Sequence, residues 1–186
     1  MKNFDLNNCH FEYTTEKSRV YAQPGENYVA TRGSIVFACE GSQVIANQFS
    51  CVIAQKGSIV VASDYSVILA EEGCQIFRRK RSIICNRKID RVEDKILWAT
   101  KSGQTFGDRE IIIAYPDTEF KTGTSCLVFA PSRVRCKVGD FSKVYAGELT
   151  YVLVGHDCNV TALNKTCIVE RDPIIKSLPK YTVLEE

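Results

Sequence analysis

The stretch 78–91, RRKRSIICNRKIDR, carries seven basic residues and a single acid, Asp90. Arg78, Arg79, Lys80, Arg81, Arg87 and Lys88 are the residues in this chain best suited to holding an anion. Such a run resembles a nuclear-import signal, or a patch for nucleic acid or an anionic surface. Its plainer role is a solvated corner whose charges block edge-to-edge strand pairing. Readers of single-stranded nucleic acid interleave basic residues with exposed aromatics, and no aromatic lies inside this run. Nucleic acid is therefore a secondary expectation.

Other chemistry is thin. The chain has only two histidines, His10 and His156, and neither stands at ligand spacing from a cysteine pair, so no metal site is expected. Asp140 and Asp157 neighbour His156, but the sequence has no G-x-S-x-G elbow, Walker loop, dinucleotide-binding glycine set or H-E-x-x-H. The acids Glu119, Asp140 and Asp157 are scattered, which argues against a glycan-cleaving β-helix. A glycan-binding groove would rest on Tyr145 and Tyr151. No catalytic residue and no cofactor is expected. Nine cysteines without a CxxC pair read as small buried fillers in a reducing cytoplasm. A formal net charge of +2, with 25% charged and 45% hydrophobic residues, is ordinary for a folded domain. No apolar run is long enough to span a bilayer. MKNFDLNNCHFEYTTEK lacks an apolar signal core, so an uncleaved, non-secreted N-terminus is expected.

The elements that must position these residues are written in a repeat of eight. One column holds Ser34, Ser42, Ser50, Ser58, Ser66, Cys74 and Ser82. Two residues on come Val36, Val44, Val52, Val60, Ile68, Ile76 and Ile84. Two further on are Ala38, Ala46, Ala54, Ala62 and Ala70, and the rule breaks at Arg78 and Asn86. Columns two apart in a β-branched run predict strands, because side chains alternate faces. The register reaches back to Ser18, Val20 and Ala22. It resumes, shifted by four, through Thr118, Phe120, Cys126, Val128, Ala130, Val144, Val152 and Val160. Glycines at 33, 41, 57, 73, 139, 147 and 155 mark corners, and Pro116 and Pro131 are expected at corners too.

Fixed-period self-similarity predicts a stack of like units. The expected fold is all-β, a narrow two-sheet β-solenoid of eight-residue half-coils, with an antiparallel β-meander or sandwich as the rival. The chain divides into an N-terminal cap (1–17), a first repeat block (18–86), a linker or insertion (87–101), a second block (102–170) and a C-terminal cap and tail (171–186). A helical turn is expected around Val92–Trp98.

The phrase G-x-x-S-x-V-x-A, as in GDFSKVYA at 139–146 and KGSIVVASDYSVILAEEG at 56–73, resembles the octapeptide-repeat, β-solenoid-like proteins of bacteria and phages. The resemblance spans roughly 18–86 and 102–170. It implies architecture alone and assigns no functional residue.

The outward columns separate the blocks. In the second they include Glu119, Lys121, Arg135, Lys137 and Lys143, as a wet face should. In the first, one sheet shows Ile35, Phe37, Cys51, Ile53, Val67, Leu69, Ile83 and Cys85, and the other shows Val29, Ile45, Val61 and Phe77 among Asn27, Gln43 and Gln75. A flat apolar face of this extent marks a contact. Its cover is the second block (through Ile111, Ile113, Leu127, Phe129 and Tyr145), a second copy, or a foreign protein. The functional expectation is a non-enzymatic repeat scaffold mediating protein–protein interaction or self-assembly through Ile35, Phe37, Ile53, Val67 and Leu69. Export as a bacterial effector is compatible with it.

Overall fold

In the computed structural model, residues 9–79, 81–86, 96–162, 168–171 and 180–183 are described. The chain divides into two compact units, Met1–Asp90 and Arg91–Glu186. Every regular element among the described residues is a strand, and every pairing is parallel, as in a β-solenoid.

In unit 1 the strands are β1 (Glu12–Tyr13), β2 (Arg19–Ala22), β3 (Asn27–Ala30), β4 (Ile35–Ala38), β5 (Gln43–Ala46), β6 (Cys51–Ala54), β7 (Ile59–Ala62), β8 (Val67–Ala70), β9 (Gln75–Arg78) and β10 (Ile83–Asn86). One sheet runs β1-β3-β5-β7-β9 and the other β10-β8-β6-β4-β2. Consecutive strands thus lie in opposite sheets, and each residue pairs with the one sixteen positions on: Val36 with Val52, Val44 with Val60. A meander would pair consecutive strands antiparallel, so the rival fold is excluded.

The inward columns explain why the chain winds this way. Val36, Val44, Val52, Val60 and Ile68, with Ala38, Ala46, Ala54, Ala62 and Ala70, form one dry core cluster. A β-branched residue suits the pleat, and a methyl beside it lets two sheets close at about 10 Å. The serine column does different work. Each hydroxyl is buried and donates to the carbonyl three residues back, as Ser34 Oγ does to Thr31 (2.6 Å), Ser50 Oγ to Asn47 (2.7 Å) and Ser66 Oγ to Ser63 (2.6 Å). A buried hydroxyl needs such a partner. Here the bond also closes the turn that sends the chain to the opposite sheet.

Unit 2 repeats the plan with β11 (Ile96–Ala99), β12 (Gln104–Thr105), β13 (Ile111–Ala114), β14 (Glu119–Lys121), β15 (Leu127–Ser132), β16 (Arg135–Val138), β17 (Lys143–Glu148), β18 (Tyr151–Val154), β19 (Asn159–Ala162), β20 (Ile168–Arg171) and β21 (Lys180–Val183). Its sheets are β11-β13-β15-β17-β19-β21 and β12-β14-β16-β18-β20. Phe120, Val128, Val134, Val144, Val152 and Val160 fill its core. Three expectations change here. Trp98 lies on a strand rather than a helical turn, because Ile96–Ala99 pairs in register with Ile111–Ala114; residues 92–95 fall outside the described set. Pro131 is buried inside β15 rather than at a corner. Gly147 lies inside β17 rather than at a corner, whereas Gly139 and Gly155 open their corners, whose left-handed residues fall two places later at Phe141 (φ 57°) and Asp157 (φ 50°).

Candidate functional site

The outward face of the even-numbered sheet of unit 1 is an in-register apolar array. Ile35 pairs with Cys51 and Cys51 with Val67; Phe37 pairs with Ile53 and Ile53 with Leu69. These side chains point away from the internal core, yet Ile35 is 2% exposed, Phe37 8%, Ile53 6%, Val67 1% and Leu69 1%. All five residues expected to bind are thus brought onto one surface, and all are buried within the chain. At the margin Tyr21 lies flat on Phe37, centroids 4.5 Å apart and planes 9° apart. The opposite sheet carries a second ladder, Tyr13, Val29, Ile45, Val61 and Phe77, paired rung by rung. Tyr13 and Phe77 at its two ends are exposed.

The basic run sits at the last coil of unit 1. Arg78, Arg79 and Arg81 are exposed, while Lys80, Arg87 and Lys88 lie outside the described residues. Arg78 pairs with Ala62 and so occupies the methyl column. A guanidinium there is tolerable only where the column meets water.

A feature that a linear reading misses is the corner column Lys17, Gly33, Phe49, Tyr65 and Arg81, at sixteen-residue spacing. Backbone bonds knit it together: Gly33 N–H to Phe49 O (2.8 Å), Phe49 N–H to Tyr65 O (3.3 Å), Tyr65 N–H to Arg81 O (3.1 Å). Phe49 and Tyr65 stack with centroids 5.7 Å apart. The Arg32 guanidinium carbon lies 5.5 Å from the centre of the Phe49 ring, and that of Arg81 5.5 Å from the centre of the Tyr65 ring. Arg81 Nη1 also donates to the Tyr65 hydroxyl (2.6 Å). Aromatics absent from the basic run in sequence are therefore its neighbours in space. The signal was the shared interval of sixteen among 49, 65 and 81.

The remaining titratable groups serve the turns. Asp108 Oδ1 accepts from the Thr124 backbone N–H (2.6 Å) and hydroxyl (3.1 Å), which hold its carboxyl below the usual range. Asp140 Oδ1 accepts from the His156 backbone N–H (2.7 Å), so this pair is joined through the main chain and not through the imidazole. Where cysteine replaces serine, the thiol reaches back to a neighbouring coil: Cys74 to Gln55 O (3.1 Å), Cys126 to Gly107 O and Cys158 to Gly139 O (both 3.2 Å). Burial pushes the thiols of Cys51, Cys74 and Cys158 up. Among the described residues no three His, Cys, Asp or Glu side chains are grouped to hold a metal, and no helix is long and apolar enough to cross a membrane.

No protein-family model, curated protein or solved structure matches the chain.

Proposed function

We propose that the protein is a non-enzymatic repeat scaffold whose work is adhesion to protein, through the apolar outer face of unit 1. The octapeptide repeat is the framework for that face: the inward columns fix a flat parallel sheet, and the sheet fixes Ile35, Phe37, Ile53, Val67 and Leu69 in two straight rows. The observation that supports this reading is that these side chains stand outside the solenoid core in an unbroken in-register apolar array. A face of this kind is made to be covered. A partner protein, or a second copy, is the occupant this reading assigns to it. The reducing cytoplasm is the compartment this reading assigns, and the eight described cysteines, present as thiols, are in keeping with it.

The test is Phe37→Asp combined with Ile53→Asp, followed by light scattering for the mass in solution and by capture of candidate partners. A folded variant with altered association is the expected result. A folded variant whose mass and captured partners match the native protein argues against the reading. A variant that merely unfolds shows that the face serves only cohesion within the chain.

A further inference from the structure

We draw no further inference here: the strongest candidate, the outward face of the β1-β3-β5-β7-β9 sheet of unit 1, where Ile45 and Val61 are half-buried and Phe77 is exposed, carries nothing because nothing among the described residues shows what covers it.

Discussion

Tyr65 lies flat against Phe49, planes 11° apart, although both residues occupy the left-handed backbone region, at φ 61° and 59°. That region costs an ordinary side chain about 1–2 kcal/mol, and glycine takes it freely at the neighbouring position Gly33 (φ 74°). The stack offsets the strain. Phe141 takes the same conformation (φ 57°), and the residue is 62% exposed. Phe141→Gly should therefore raise stability by up to about 1 kcal/mol, strain relief less the added entropy of glycine. Tyr65→Gly should lower it by about 1 kcal/mol, because the ring contacts are lost with the strain. Urea midpoints of the two variants decide the matter, and equal shifts of one sign would refute the offset.

Two glycines are needed for opposite reasons. Gly103 has φ +85° and nothing within 4 Å of where a Cβ would stand, so Gly103→Ala should cost only the backbone strain, about 1 kcal/mol. Gly147 has an ordinary φ, but a Cβ there would run into the Pro131 carbonyl oxygen, with its carbon at 2.7 Å. Backbone cannot swing aside as a side chain does, so Gly147→Ala should be the costlier, by about 2 kcal/mol or more. Thermal midpoints in the reverse order would show that the β15–β17 approach is not the constraint.

These glycines also show what the sequence could and could not convey. The columns of Val44, Val52 and Val60 were legible because alternation is local, and all three are fully buried. Sixteen-residue coils followed from the eight-residue phrase. Gly147 was misread as a corner residue because a turn and a close approach of backbone select the same residue. Trp98 was misread because the coil from Ile96 to Ile111 spans fifteen residues and breaks the octad phase. The contacts of Phe49 with Tyr65 and of Tyr65 with Arg81 stayed hidden because these residues meet only across coils, and the basic run was judged by its immediate neighbours. That Ile35, Phe37, Ile53, Val67 and Leu69 share one surface could be read from their spacing. Their burial could not, because a column states a direction and not what lies beyond it.

Alkaline pH should destabilise the protein through Cys51. Complete burial pushes its thiol far above the ordinary value, with desolvation as the whole cause. The folded state then holds a proton that the unfolded chain releases. The stabilisation is complete below the ordinary thiol value and is lost as pH rises through and beyond it. Cys51→Val, similar in size and unable to ionise, should flatten the fall in urea midpoint between about pH 8 and 10.5, a window that brackets the ordinary thiol value. An unchanged slope would show that Cys51 does not carry it.

At the other end of the scale, strong acid should weaken the corner held by Asp108. The Thr124 backbone and hydroxyl hydrogen bonds lower its folded value below the unfolded one. The contribution to stability is therefore present above the ordinary carboxyl value and disappears as pH falls through the lowered one. The Thr124 amide resonance should titrate with a midpoint below that of a free aspartate, and in Asp108→Asn this titration should vanish. A midpoint at the ordinary carboxyl value would mean that the two hydrogen bonds do not persist in solution.

The serine and valine columns share one core but should fail differently. Ser50 is buried, and its hydroxyl donates to Asn47 O, a carbonyl that also accepts the Ser50 backbone N–H at 3.2 Å. Ser50→Ala thus removes one hydrogen bond without orphaning the acceptor, at about 1 kcal/mol. Val52→Ala removes two methyl groups from a dry interior bounded by Val36 and Ile68, its partners on either side. It should cost about 2 kcal/mol, transfer and cavity together. Because each coil touches only its neighbours, hydrogen exchange should quicken near residues 34–38 and 66–70 and stay native at coils further along unit 1. Uniform acceleration throughout unit 1 would mean that its coils open as one block. A larger loss in Ser50→Ala than in Val52→Ala would mean that turn closure, rather than the branched column, sets the stability of the stack.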